Sequence, residues 1–245
     1  MKHLFLVKSS QELTSLRRYA EKIAPLFERY LLFLKETCQV RDLPRAIVWT
    51  DYDSAANIIS DIPLPAYTND HRTVMVPDAA VWGALYQRQL VGYPETAVTA
   101  RLRDYYSHLS DQNILQILGH EMVHHSELFI DEAYETEMWF EEGMAEYISR
   151  KYFLSLEAYA AEKEANQALT ALYEEKYGRP SLNAFTQAVY AQDLVHVFYA
   201  YWRSFLMIDL LVEKHGGSVS DVFASYHRWY ASGTKEPLEA WFAHN

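Results

Sequence analysis

The chain of 245 residues contains a single cysteine, Cys38, and is short of positive charge. One cysteine excludes an intrachain disulfide, so neither secretion nor an oxidising compartment is indicated, and we expect Cys38 to be a small buried apolar residue. Lys and Arg number 22 against 33 Asp and Glu, which gives a net charge of -11. A surface of that sign repels nucleic-acid backbones and anionic membranes on average, so neither is an expected partner.

Long apolar runs are also missing. No stretch approaches the length of a membrane span, and the segment MKHLFLVKSS has only a four-residue apolar run, too short for the core of a signal peptide. The expected location is therefore the cytoplasm. No internal repeat or low-complexity linker is present. Apolar residues make up 50% of the chain, which is enough to form the core of one domain or of two small lobes. The sequence gives no indication of the oligomeric state.

The patterns of apolar residues predict an α+β protein that is mostly helical. Residues 10–36 have an amphipathic helical pattern, whereas 46–49 and 71–76 are typical of strands. The segment 71–76, HRTVMV, is either an edge strand that pairs with an extended peptide or an ordinary interior strand. Helical patterns dominate from about Ala79 onwards, and the aromatic and aliphatic residues of 192–214 predict a core helix.

The stretch GHEMVH contains an HExxH motif formed by His120, Glu121 and His124. Residues at i and i+4 share one face of a helix, so both imidazoles can reach a single tetrahedral metal while Glu121 leans toward the open fourth position. Ser110 and Asp111 are good N-cap residues, and the apolar residues after them predict a buried helix. Three titratable side chains inside such a helix are costly unless a divalent cation compensates for the lost solvent.

A second helical stretch, WFEEGMAEY, supplies a candidate for the third ligand. Glu142 follows His124 with seventeen residues between them, and Glu146 lies on the same helix face one turn further on. One carboxylate can bind the metal while the other orients a ligand histidine from behind. Gly143 costs about 1 kcal/mol relative to Ala inside a helix, and a close approach of two helices at the metal explains its presence.

These residues resemble the gluzincin metallopeptidases, the thermolysin-like and neutral aminopeptidase clan, which combine HExxH with a Glu in a Trp-x-x-Glu-Gly-x-Ala context. The resemblance implies a zincin-like two-lobe fold with one catalytic domain overall. In it, residues 1–126 form an α+β lobe with a small sheet that ends in the HExxH helix. Residues 127–245 form a helical lobe that carries the third ligand.

The same resemblance implies a role for each site residue. His120, His124 and Glu142 bind one Zn²⁺ per chain, Glu121 is the general base, and Glu146 matches the acidic residue four positions after the third ligand. The spacer is one residue shorter than in the zinc aminopeptidases, so Glu141 is the register alternative. Glu142 is preferred because it directly precedes Gly143, as the ligand does in the family.

A tyrosine is expected to complete the site. Tyr199, followed six residues later by Phe205 and Leu206, resembles the gluzincin helix that carries a catalytic Tyr, whose phenol stabilises the oxyanion of a tetrahedral intermediate. A buried aromatic with no catalytic role is an equal alternative for Tyr199. Tyr201 is the second candidate, and His196 either helps to bind the transition state or simply packs.

The predicted function is zinc-dependent hydrolysis of peptide bonds by metal-activated water, with Glu121 moving the proton from the water to the leaving amine. Two histidines and one glutamate favour zinc over magnesium or calcium. The chain lacks the Gly-Ala-Met-Glu-Asn stretch with which zinc aminopeptidases hold the substrate amine, so endopeptidase or oligopeptidase action on a peptide or protein is favoured.

Two alternatives stay open. The first is a zinc-binding, peptidase-like protein without turnover that acts as a regulatory or binding module, although an intact Glu121 counts against it. The second is a helical structural protein whose HExxH is accidental, which an absence of bound metal would favour.

Overall fold

The computed structural model describes residues 1–59 and 64–244. Within them the chain is α+β and mostly helical, with one small sheet in its N-terminal part, so the predicted fold class is confirmed. The chain divides into two compact units. Unit 1 comprises Met1–Glu127 with Ile148–Glu157, and unit 2 comprises Leu128–Tyr147 with Ala158–Asn245.

The sheet belongs to unit 1 and has the strand order β1-β2-β4-β3. The strands are β1 (Lys2–Leu6), β2 (Ala46–Thr50), β3 (Ala66–Thr68) and β4 (Arg72–Met75). Neighbours β1, β2 and β4 run parallel, and β3 is antiparallel to β4. The predicted strand at 71–76 is therefore an interior one. The hypothesis that it pairs with a peptide at an edge is wrong, because β2 and β3 already occupy both of its sides.

The helices before the HExxH segment also belong to unit 1. They are α1 (Ser10–Thr37), α2 (Tyr52–Ser54), which continues into a π-helical turn at Ala55–Ile59, α3 (Ala79–Arg88) and α4 (Ala97–Ser107). The long helix predicted for 10–36 is confirmed as α1, which continues through Pro25 and buries one stripe of its residues. Cys38 follows it at 2% exposure, as predicted, and burial raises the pKa of its thiol.

The remaining helices include the HExxH segment and the helical half of the chain. They are α5 (Asp111–Val123), α6 (Asp131–Phe153), α7 (Leu156–Tyr177), α8 (Leu194–Lys214), α9 (Val219–Ala231) and α10 (Leu238–His244). Two 3-10 segments, Leu182–Ala184 and Gln187–Ala191, connect α7 to α8. The predicted core helix is confirmed as α8, in which Phe205 and Ile208 are fully buried.

Among the described residues, α8 alone is long and apolar enough to cross a membrane by length and composition. The sequence-based expectation that no stretch approaches a membrane span is therefore wrong for this helix. Of its apolar window, 61% is buried inside the protein, and the core helix of a protein without a membrane passes the same test. Packing within unit 2 accounts for its apolar residues.

The glycine inside α6 lies where that helix meets α8. A Cβ atom on Gly143 would lie 2.6 Å from the carbonyl oxygen of Ser204 and 2.7 Å from Cγ1 of Ile208, closer than side chains approach in folded proteins. The close helix-to-helix approach predicted from the sequence is therefore present. It explains why a residue of poor helix propensity stands directly after Glu142.

We predict that Gly143→Ala lowers the free energy of unfolding by about 1–3 kcal/mol, because the added methyl group meets main-chain atoms that no rotamer change can move. Urea unfolding followed by circular dichroism measures the change. Helix propensity alone predicts a gain of about 1 kcal/mol for the same substitution, so a stabilised variant would contradict the close contact.

Candidate metal centre

Helix α5 starts at a capping box. Ser110 accepts from the backbone N–H of Asn113, and the Asn113 side chain accepts from the backbone N–H of Ser110. Residues 114–123 are all buried. The His120 and Glu121 side chains are 5% and 7% exposed, and His124 follows as the C-cap residue with helical backbone angles. The Nε2 atoms of His120 and His124 lie 3.0 Å apart, so both imidazoles face the same point.

The backbone just before His120 is fixed by packing inside unit 1. The hydroxyl of Tyr30 in α1, which is fully buried, donates to the carbonyl oxygen of Gly119 at 3.1 Å. A Cβ on Gly119 would lie 2.5 Å from the ring of Phe153 and 3.0 Å from that of Tyr30. The residue before the first histidine is therefore small because two aromatic rings pack onto its α carbon.

His125 contacts a different partner from its neighbour His124. Its Nε2 lies 3.1 Å from the hydroxyl of Thr68 in β3, which ties the end of α5 to the sheet. Burial is the main cause that lowers the pKa of His125, and electrostatic repulsion from His124 lowers it further. Adjacent residues of a helix point in different directions, so His125 does not face the point that His124 faces.

The candidate third ligand, Glu142, lies in the part of α6 that belongs to unit 2, since unit 2 includes Leu128–Tyr147. This helix is interrupted at Glu137, whose φ of -129° and ψ of 32° are not helical. The Glu137 carboxylate accepts from the indole N–H of Trp139 at 2.8 Å and from the backbone N–H of Leu238 at 3.2 Å. Burial is the main cause that raises its pKa. These bonds anchor the kink, so the helical turn that bears Glu142 starts from a fixed point.

Glu142 is 3% exposed and contacts a pair of tyrosines in unit 2. The hydroxyl of Tyr190 donates to Oε1 of Glu142 at 3.3 Å, and the hydroxyls of Tyr190 and Tyr201 lie 2.6 Å apart. The ring of Phe185 packs against both tyrosine rings. Glu146 lies one turn after Glu142 and is half-buried. Its role in orienting a histidine stays a prediction.

Tyr199 has hydrogen-bond partners elsewhere in unit 2. Its hydroxyl donates to Oε1 of Glu174 at 2.9 Å and accepts from Nη1 of Arg203 at 3.4 Å, while its ring stacks on Tyr173 at 3.7 Å. Burial is the main cause that raises the pKa of Tyr199 to about 12, so it is a neutral hydrogen-bond donor at physiological pH. His196 packs edge-on against Tyr173. The catalytic role predicted for Tyr199 stays a prediction.

Among the described residues, one group of side chains has the composition of a metal site. His120, His124 and Glu142 each offer one ligand atom, and these atoms all lie within 4.8 Å of one another. Bonds of about 2.0–2.1 Å to a tetrahedral zinc place ligand atoms about 3.3 Å apart. The group therefore fits a zinc ion after small side-chain adjustments, and it contains Glu142 rather than the register alternative Glu141.

Tyr190 was not among the site residues predicted from the sequence. It belongs to the 3-10 segment Gln187–Ala191, which has no recognisable motif, and tyrosine is too common in this chain, with 19 residues, to draw attention. Only the folding of that segment against α6 and α8 brings its hydroxyl to Glu142. Tyr201, the second candidate for the oxyanion role, does lie in this cluster.

Two histidines, a nearby carboxylate and a glutamate beside the first histidine are the composition of a zinc metallopeptidase centre, and the group formed by His120, His124 and Glu142 is compatible with one. Residues 102–237, more than half of the chain, match the Peptidase M9 family, whose description is collagenase, and the chain belongs to that family of zinc metallopeptidases. The gluzincin resemblance agrees with this assignment. No curated protein and no solved structure shows significant similarity to the chain.

We predict that Tyr30→Phe lowers the free energy of unfolding by about 0.5–1.5 kcal/mol, because the carbonyl of Gly119 loses a buried hydrogen bond. Tyr152→Phe is the matched control. Its ring belongs to the same aromatic cluster, 4.7 Å from that of Tyr30, and the described residues include no hydrogen-bond partner for its hydroxyl. Equal effects of the two substitutions in chemical denaturation would show that the Tyr30 hydroxyl does not support α5.

Proposed function

We propose that this chain is a zinc-dependent peptidase that hydrolyses bonds within peptide or protein chains. The observation that carries the proposal is the group of His120, His124 and Glu142, with ligand atoms within 4.8 Å, inside the segment that matches Peptidase M9. These three side chains would hold one Zn²⁺. When bound, the ion supplies Lewis-acid polarisation of water and of the scissile carbonyl.

Glu121 is the proposed general base. It lies between the two histidines in sequence, is 7% exposed and is not a member of the ligand group. A carboxylate in that position accepts the proton of the attacking water and delivers it to the leaving amine. Glu146, one turn after Glu142, is the proposed partner that orients a ligand histidine.

Two tyrosines compete for the role of oxyanion donor. Tyr199 is the residue that the gluzincin resemblance favours, yet its hydroxyl is engaged with Glu174 and Arg203. The Tyr190 hydroxyl lies 3.3 Å from Oε1 of Glu142, and Tyr201 supports it from behind at 2.6 Å. We therefore assign the role to Tyr190 and keep Tyr199 as the alternative.

Cleavage within a chain rather than at its amino terminus is the finer part of the proposal. The chain has no counterpart of the Gly-Ala-Met-Glu-Asn stretch that holds a substrate amine in zinc aminopeptidases. The family description, collagenase, also supports a protein substrate. A zinc-binding protein without turnover is the second candidate, and the presence of Glu121 is the observation against it.

We expect about one zinc per wild-type chain by elemental mass spectrometry and nearly none in Glu142→Ala, because a three-residue site that loses its carboxylate binds zinc poorly. Zinc should also raise the melting temperature of wild type, since a ligand that binds only the folded state stabilises it. Glu141→Ala is the matched control and retains zinc. No zinc in metal-replete wild type would overturn the proposed site, and loss in Glu141→Ala alone would transfer the ligand role to Glu141.

Activity is tested with a quenched-fluorescence peptide library on the same samples. Glu121→Gln should lower kcat by about 10²–10⁴-fold, the usual contribution of a general base, while its zinc content stays at the wild-type value. Zinc binding without cleavage of any peptide by wild type would favour the regulatory alternative.

The two tyrosines are separated by paired variants. Tyr190→Phe should lower kcat by about 10²-fold with little change in KM, because a hydrogen bond to the developing oxyanion is made only in the transition state. Tyr199→Phe should change kcat by less than about fivefold, as expected for a hydrogen bond outside the reacting centre. The reverse pattern would assign the role to Tyr199.

A further inference from the structure

Unit 2 contains a cavity of about 520 Å³ that the metal centre does not use. Its walls come from the end of α7, the two 3-10 segments and the first turns of α8. The size falls within the range of about 300–1,000 Å³ that is typical of pockets for small ligands. It is large enough for a bulky side chain together with part of the peptide that carries it.

Several aromatic side chains contribute to the wall. Tyr173, Tyr177, Tyr199, Phe185 and His196 all line the cavity. Tyr173 and Tyr199 stack on each other at 3.7 Å, and His196 stands perpendicular to Tyr173. Surfaces of this kind bind another aromatic ring well, because offset-stacked and edge-to-face pairs stabilise contact beyond the area that they bury.

The positive and negative side chains around the cavity balance one another, so the cavity does not favour a charged ligand. Arg203 and Arg179 both lie near the Glu174 carboxylate, and Arg203 also lies 3.8 Å from Glu239. The Arg203 guanidinium also donates to the carbonyl oxygen of Pro180. Two arginines therefore lie at ion-pair distances from two glutamates, which balances the charge on this side of the cavity.

Among the described residues, one polar atom of a lining residue lacks a hydrogen-bond partner. The Nδ1 atom of His196 is buried and has no hydrogen-bond partner in the part of the chain that the structure describes. A buried polar atom without a partner costs about 1–3 kcal/mol, and a hydroxyl on the ligand would remove that cost. An aromatic side chain with a polar tip has the required shape and chemistry.

The cavity shares its wall with the tyrosine pair that contacts Glu142. Phe185 lines the cavity and packs against Tyr190 and Tyr201, while Val189 and Ala200, each adjacent in sequence to one of these tyrosines, line it as well. A peptide that passes the Tyr190 hydroxyl therefore has this cavity within reach of its side chains.

On these grounds we propose that the cavity is the specificity pocket of the enzyme and that it binds an aromatic side chain of the peptide substrate, tyrosine in preference to phenylalanine. This inference rests on the proposed function, since it names the substrate class of the same site. The rings of Tyr173, Tyr199 and Phe185 bind the aromatic face, and His196 bonds to the phenol.

Binding can be measured without turnover on the zinc-loaded Glu121→Gln variant. Saturation-transfer NMR with N-acetyl-tyrosinamide and N-acetyl-alaninamide should detect the first probe and not the second. Ala200→Leu fills the cavity from α8 and should weaken the tyrosine probe at least about tenfold. The matched control is Ala160→Leu, at an exposed position of α7, which leaves probe binding as it was. Equal signals from both probes, or no effect of Ala200→Leu, would refute the proposal that this cavity binds an aromatic side chain.

Cleavage provides the second readout. In the peptide library, wild type should prefer an aromatic residue at one position by about tenfold or more in kcat/KM over alanine, and Ala200→Leu should remove that ratio. His196→Phe keeps an aromatic ring but lacks the nitrogen, so the ratio of tyrosine to phenylalanine should fall to about one. Cleavage with no aromatic preference would contradict the proposed specificity pocket and would leave the proposed peptidase activity supported. Probe binding without any cleavage would leave the pocket in place and refute the proposed function.

Discussion

Several ionisable groups of this protein lie in its interior, and their burial is the constraint on which the rest of the site depends. His120, Glu121 and Glu142 are between 3% and 7% exposed. Removing carboxylates from water costs several kcal/mol each unless an opposite charge replaces the solvent. A divalent cation would balance the charges of Glu121 and Glu142, and His120 and His124 would hold it together with Glu142. The site is thus consistent with a metal as part of the folded state as well as of the chemistry.

Each helix that carries part of the site has a glycine next to a candidate ligand. Gly119 precedes His120 and accepts the rings of Phe153 and Tyr30, and Gly143 follows Glu142 and accepts the main chain of α8 at Ser204. In both places the missing side chain lets a neighbour press against the helix backbone. The candidate ligands His120 and Glu142 gain fixed positions because close packing holds the main chain beside them, as binding of a small ion would require.

Much of this arrangement could be predicted from the sequence, for local reasons. The HExxH pattern, the cap at Ser110 and the glycine after Glu142 are short-range signals, and each has one simple structural interpretation. The position of β4 in the middle of the sheet could not be predicted, because strand order depends on contacts between distant segments. Tyr190 was missed for the same reason: its 3-10 segment has no periodic pattern, and only tertiary packing brings it to Glu142. The cavity beside it is formed by residues spread from Tyr173 to Arg203, which no motif connects.

The order of the chain in the two units also affects how the protein is made. Unit 1 is discontinuous, since its core needs Phe153 against Gly119 and therefore includes Ile148–Glu157. During synthesis, the first 127 residues cannot complete that core until the intervening segment has also left the ribosome. That segment bears Glu142, whose hydrogen-bond partner Tyr190 is still to be translated. Unit 1, which contains His120 and His124, is thus able to fold while Glu142 of unit 2 still lacks its hydrogen-bond partner Tyr190. A nascent chain released at that stage would contain Glu142 without the Tyr190 hydroxyl that donates to it.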